Sequence, residues 1–321
     1  MIVFILFFST FASGLSFTNY NFKRKNNFPV VGIVSTPCDD TFNTTGARSY
    51  IAASYVKFLE SGGIRVVPIL YNYTYEEIDF LMSKINGVYL IGGKTKLTSV
   101  IDGQEYWHEY LNKSAYIVNK VIEKNRNGEY FPYVGVCMGA QLLHIALTEH
   151  CECAMQYTDA LNFRSNLMFT DSVPKSRLFG NADPRMLYEM AYKNITYQNH
   201  KYGFYPSLYT DNPKVSSMLR PLAVSYDRLG VLNVVISEGI DIPFYATMIH
   251  PEKPAYEWFS LKINHNITAI EVGHYFATFY ATEFGKNTNT FGNYTEYQKY
   301  SILNHQVYYL HRPLEQAYLF F

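Results

Sequence analysis

The chain lacks an excess of charge of either sign: 27 Lys+Arg stand against 27 Asp+Glu in 321 residues, and only 17% of residues are charged. A nucleic-acid or anionic-membrane binder displaces counterions with a basic surface, so this balance removes the simplest case for either partner. Cysteine is scarce. Cys38, Cys137, Cys151 and Cys153 are too few for a disulfide scaffold. If one of them is a reduced nucleophile, the other three form at most one disulfide. His144, His150, Cys151 and Cys153 lie close in sequence but match no zinc spacing, so no metal is expected there. The 19 Gly and 13 Pro exclude collagen-like and low-complexity classes. Tryptophan is nearly absent, at 2 residues, yet 30 Tyr and 23 Phe bring the hydrophobic fraction to 48%. That fraction excludes a disordered chain, and the length suffices for a substantial buried core.

Long apolar runs are missing as well. Ile2 to Phe8 is continuous but shorter than the roughly 18–20 residues a membrane span needs, and no later stretch reaches that length. The first 20 residues carry no charged side chain, and the run is followed by Ser9, Thr10, Ala12, Ser13, Gly14 and Ser16. This resembles a secretory h-region with a cleavage zone near Gly14 to Ser16. Residues 1–16 are therefore expected to be a signal peptide, leading to the extracellular space or to a lysosome or vacuole. Six Asn-x-Ser/Thr sequons, at Asn43, Asn72, Asn112, Asn194, Asn266 and Asn293, compare with about three expected by chance from 24 Asn and 41 Ser+Thr. They fit a glycosylated lumenal protein.

What is present alternates strands with helices. Val30 to Val34, Gly87 to Ile91 and Tyr133 to Val136 are short, unbroken apolar runs, and Ile64 to Ile69 is another interrupted only by Arg65. Between them, helical spacing covers Tyr50 to Leu59, then 74–85 behind a capping-box start at Thr74-Tyr75-Glu76-Glu77, then Glu105 to Asn125, and finally Gly139 to Leu147. Buried, non-alternating strands joined by helices predict an α/β fold with a mostly parallel central sheet flanked by helices on both faces. Alternating runs at Leu222 to Tyr226, Val231 to Ser237 and Phe244 to Ile249 suggest antiparallel additions in the C-terminal half. Ile267 to Phe284 reads as a last amphipathic helix, and 286–321 as weakly patterned. Neither a repeat nor a linker composition interrupts 29–321, which reads as one domain.

Gly135-Val136-Cys137-Met138-Gly139-Ala140-Gln141 sits between a strand and a helix. A residue there must make a sharp turn that exposes its side chain and aims a helix N-terminus at it. This is the logic of a nucleophile elbow with Cys in place of Ser, and the helix end favours the reactive thiolate. In isolation the pattern is equally a buried cysteine in a tight turn. His250-Pro251-Glu252 supplies a base and an orienting carboxylate two residues apart, on one side of an extended backbone. An acyl-transfer site also needs oxyanion donors; the amide of Met138, directly after the cysteine, and that of Gly93, in Gly92-Gly93 after the third strand, are the candidates.

Gly-x-Cys-x-Gly-x-Gln with a distal His-x-Glu resembles the class I glutamine amidotransferase domains. Longer stretches resemble one branch of them, the γ-glutamyl hydrolases that act on folate polyglutamates. These are Tyr50 through Gly63, Arg65-Val66-Val67-Pro68, Ile85-Asn86-Gly87, and His250 through Trp258. The resemblance implies a class I amidotransferase-like fold and a Cys137–His250–Glu252 hydrolase with no cofactor. It also implies a poly-γ-glutamyl folate or other γ-glutamyl substrate, and substrate-proximal roles for Tyr55 and His200. Read alone, His200 is a surface histidine. Arg48 could meet a glutamate carboxylate. Met138 and Ala140 stand where the hydrolase branch usually has Leu and an aromatic, and Gln141 is closer to the generic amidotransferase. The competing readings are a glutaminase that releases ammonia and a non-enzymatic binding protein on the same scaffold. The sequence leaves a homodimer open.

Overall fold

The computed structural model describes residues 25–39, 42, 45–101, 104–149, 151, 154–310 and 314–321. The expected signal segment lies outside them. Eight strands form the main sheet, in the order Met168–Phe169, Leu219–Tyr226, Leu232–Gly239, Phe244–Thr247, Tyr133–Val136, Val88–Leu90, Val30–Val34 and Arg65–Ile69. The last five of these run parallel to one another. Val30–Val34 is buried at every position, as a strand covered on both faces must be. Ala53–Ser61 packs on Ile267–Phe284, and Glu109–Arg126 packs on Met138–Leu147. Both pairs carry apolar faces into one continuous core.

The sheet corrects one expectation about direction. Phe244–Thr247 is antiparallel to Leu232–Gly239 but parallel to Tyr133–Val136, so it belongs to the parallel set. The antiparallel additions are Leu219–Tyr226, Leu232–Gly239 and Met168–Phe169. This placement matters for the site. Parallel strands all finish at the same edge, and the register pairs Leu90 with Gly135 and Val136 with Thr247. The loops that follow Leu90, Val136 and Thr247 are thereby brought together outside the carboxyl ends of the strands.

Helix boundaries agree with the sequence where a side chain caps them. Thr74 accepts the Glu77 N–H at 3.2 Å while Glu77 accepts the Thr74 N–H at 2.7 Å, and the helix is Tyr75–Met82. Asn266 accepts from the Ala269 N–H, and the helix is Ile267–Phe284. Two other starts fall later than the spacing predicts. Ser49–Ala52 is a buried strand, and the helix expected from Tyr50 begins at Ala53. Residues 104–107 form a strand paired with Thr98–Ile101, and the helix expected from Glu105 begins at Glu109. The N-cap residues there, Ala52 and His108, make no side-chain capping bond, so no side-chain capping bond marks the start.

The segment 286–321 is more ordered than its pattern predicts. It holds a helix, Tyr294–Tyr300, and the strands Val307–Tyr309 and Gln316–Phe320. The second of these pairs antiparallel with Ser49–Ala52, setting Tyr318 opposite Ile51. A hairpin of Gln156–Ser165 and Thr196–Gly203, which the sequence pattern did not announce, carries register shifts around His200.

Candidate active site

Cys137 occupies the strand–helix junction with φ 54, a backbone conformation that costs a non-glycine residue of order 1–3 kcal/mol. Close packing holds it there. A Cβ on Gly139 would lie 2.1 Å from the Leu90 carbonyl oxygen, and one on Gly135 would lie 2.5 Å from the Gly139 oxygen. Only glycine lets this helix sit so near the sheet. Met138 is the first helical residue, so its N–H has no carbonyl within the helix to serve.

Gly92 and Gly93 form the opposite wall. A methyl on Gly92 would stand 3.1 Å from Cys137 Cβ and 3.2 Å from His250 Cε1, and one on Gly93 would stand 2.6 Å from Met138 Cε. The Gly92 N–H is committed to Tyr55 Oη at 3.1 Å. No acceptor among the described residues takes the Gly93 N–H, which leaves Gly93 and Met138 as the two amides free to meet a developing negative charge.

His250 Nδ1 donates to Glu252 Oε1 at 2.7 Å and lies 3.2 Å from Tyr55 Oη. Its Nε2 has no hydrogen-bond partner among the described residues. Burial penalises the imidazolium, but the Glu252 carboxylate and Cys137 outweigh it and push the pKa from 6.5 up to about 9. Glu252 is fully buried. Burial alone would raise its pKa, yet His250 and the Lys253 ammonium hold it below the usual carboxylate range. Cys38 is free, like Cys137, but its thiol is pushed up to about 11 by burial and by Asp39, which keeps it protonated at neutral pH. Cys151 is disulfide-bonded.

This coupling predicts a pH profile. An imidazolium at His250 is lost as pH rises through about 9, so kcat/KM should fall on an alkaline limb near that value. Glu252→Gln removes the charge that raises it, and the limb should move to lower pH in stopped pH–rate assays. For stability, the His250 contribution is fully present below about pH 6.5 and is lost as pH rises through about 9. The Glu252 contribution is present above the ordinary carboxylate range and is lost as pH falls.

Tyr55 is 3% exposed and bridges Gly92 to the imidazole from below. His200 is buried, which corrects the reading of it as a surface residue: it is 4% exposed, with Nδ1 3.2 Å from Thr158 Oγ1 and Nε2 2.9 Å from Gln198 Oε1. Burial and the nearby His250 lower its pKa to about 3. Both ring nitrogens are occupied within the hairpin. Arg48 is exposed. Burial and Glu109 raise the Tyr71 pKa and Arg48 lowers it, which places the guanidinium within electrostatic reach of Tyr71. From there Tyr71 packs edge-on against Tyr110 at 6.3 Å, Tyr110 Oη is 3.5 Å from Thr36 Oγ1, and Thr36 abuts Gly93.

Two residues of the site were not signalled by any motif. The Tyr197 carbonyl accepts the His250 N–H at 2.8 Å, and the Tyr197 ring stands 6.1 Å from the His250 ring. The Asn199 carbonyl faces Cys137 Sγ at 3.8 Å. Both come from the hairpin strand Thr196–Gly203, whose irregular register hides the alternation that would have exposed them.

Known proteins resemble this chain in sequence. The family model described as peptidase C26 matches residues 29–198. A γ-glutamyl hydrolase of Rattus norvegicus is 34% identical over 279 residues, covering 86% of this chain and 84% of that one. γ-Glutamyl hydrolase B of Dictyostelium discoideum is 30% identical over 298 residues, with 92% and 84% covered. The Homo sapiens γ-glutamyl hydrolase is 31% identical over 296 residues, with 91% and 89% covered.

Proposed function

The chain belongs to the peptidase C26 family, and from that premise we propose that it hydrolyses γ-glutamyl amide bonds, with poly-γ-glutamylated folates as the substrate class. The observation that carries this reading is the convergence of Cys137, the His250–Glu252 pair at 2.7 Å and Gly92-Gly93 at one edge of the parallel sheet.

Cys137 Sγ, as the thiolate paired with the His250 imidazolium, attacks the γ-carbonyl carbon. The carbonyl oxygen, now negative, takes hydrogen bonds from the Met138 and Gly93 amides. The tetrahedral centre collapses: the C–N bond breaks, the His250 imidazolium gives its Nε2 proton to the departing nitrogen, and a thioester to Cys137 remains. Water, deprotonated by the same imidazole, cleaves the thioester and frees the thiol. Glu252 holds the imidazole in one tautomer and stabilises its cation throughout. Tyr55 fixes both the imidazole and the Gly92 loop. Arg48, exposed and within electrostatic reach of Tyr71, is available to a substrate carboxylate.

A secretory route fits the apolar run Ile2 to Phe8. It also fits the exposure of five sequon asparagines, Asn72, Asn112, Asn194, Asn266 and Asn293. No helix among the described residues is long and apolar enough to cross a membrane.

The test is mass-spectrometric product analysis on pteroyl-γ-pentaglutamate. Shortened pteroyl-glutamates together with free glutamate or γ-oligoglutamate are expected. Ammonia release from glutamine with the pentaglutamate left intact would overturn the reading in favour of a glutaminase.

A further inference from the structure

A basic pocket lies one residue away from the site, on the His250 side. The Tyr197 ring stands beside His250, and its hydroxyl donates to Asn162 Oδ1 at 3.1 Å. The Asn162 N–H in turn donates to Asn199 Oδ1 at 3.0 Å, and the carbonyl of Asn199 faces Cys137 Sγ. Asn162 also lines a cavity of about 320 Å³ together with Phe163, Arg164, Asn194, Arg228 and Lys262.

The two arginines are rigidly placed. Arg164 donates to the carbonyls of Leu261, Lys262 and Ile263 at 2.5, 2.5 and 3.1 Å. Arg228 donates to the carbonyls of Leu161 and Asn162 at 2.7 and 2.8 Å, and to Asp159 Oδ1 at 2.8 Å. Carbonyl oxygens orient a guanidinium without cancelling its charge. Arg228 is paired with Asp159, and the Asp227 carboxylate accepts the Asp159 N–H at 2.7 Å, so three cations against two carboxylates leave one positive charge, on a chain whose net charge is zero. Lys262 is exposed, and its ammonium has no partner among the described residues.

The chemistry of a γ-glutamyl amide supplies the ligand. The leaving nitrogen is the α-amine of the next glutamate. It carries a carboxylate on the same carbon, and each further residue of the chain adds another. His250 must protonate that nitrogen, so the leaving chain departs on the His250 side, past Tyr197 and toward Asn162. We propose that the pocket formed by Asn162, Arg164, Arg228 and Lys262 binds the carboxylates of the departing γ-glutamyl chain. This rests on the γ-glutamyl hydrolase reading and adds to it a place where chain length is sensed. A fixed cationic pocket selects a polyanionic leaving group over a neutral one, and salt screens that selection.

The test compares kcat/KM for pteroyl-γ-pentaglutamate with kcat/KM for γ-glutamyl-p-nitroanilide, whose leaving amine is uncharged. Any N-glycan is first removed enzymatically, because Asn194 is itself a sequon residue. Lys262→Glu is expected to lower the pentaglutamate-to-anilide ratio by about tenfold or more, and Lys262→Arg to restore it to within about twofold. In the unsubstituted protein the ratio should fall as salt is raised. A ratio unchanged by Lys262→Glu overturns the pocket assignment. Failure of the unsubstituted protein to cleave either substrate overturns the hydrolase reading instead.

Discussion

Cys137→Ala is expected to lower kcat on a γ-glutamyl substrate by at least about 10⁴-fold, to background, while the fold persists. The backbone at this position carries the same strain with either residue, since both have a Cβ at φ 54. The substitution removes a single buried atom, which faces the Asn199 carbonyl at 3.8 Å, so the core around it is left in place. Single-turnover assays should show no thioester, and the melting temperature should stay within about 2–4 °C. The substitution also removes one of the groups that raise the His250 pKa, so the imidazole should titrate lower by NMR. Turnover near the unsubstituted rate would sink the assignment of Cys137 as nucleophile. Loss of turnover without the shift in His250 titration would show that the two side chains are not coupled as the geometry requires.

The second large effect is on the fold. Gly139→Ala places a methyl 2.1 Å from the Leu90 oxygen and 2.6 Å from the Leu90 carbonyl carbon. Backbone on a strand hydrogen-bonded to neighbours on both sides cannot yield as a side chain can. The helix Met138–Leu147 must lift instead, carrying the Met138 amide with it. A loss of about 3 kcal/mol or more is expected in urea denaturation, together with lower kcat in whatever protein remains folded. A neutral result would mean that the helix has slack the packing does not suggest.

How far the fold could be read from the sequence depended on local chemistry. The strands Val30–Val34, Val88–Leu90 and Tyr133–Val136 were legible because full burial on both faces demands unbroken apolar runs, and Arg65–Ile69 because all but its half-buried first residue follow the same rule. Helix starts were legible at Thr74 and Asn266, where a side chain closes the first turn, and illegible at Ala52 and His108, where none does. The direction of Phe244–Thr247 could not be seen, because alternation reports burial and says nothing of a partner's orientation. At the site, Cys137, His250 and Glu252 announced themselves through spacing. The Tyr55 bridge and the burial of His200 did not, because both depend on contacts between residues far apart in the chain.

The pairing of Ser49–Ala52 with Gln316–Phe320 has a bearing on how the protein is made. The backbone N–H of Arg48 donates to the Phe320 carbonyl, and Lys57 Nζ donates to Gln316 Oε1 at 2.6 Å. The helix bearing Tyr55 starts directly after this strand. During synthesis, residues 49–52 leave the ribosome long before 316–320, and at roughly 5–20 residues per second the wait lasts tens of seconds or so. Over that interval the strand stays open on this side, and the closure that ends it carries a large loop-entropy cost. Nascent chains should therefore acquire a rigid Tyr55–His250 contact only once Phe320 has emerged, so the thiol chemistry of this protein switches on late in its biogenesis.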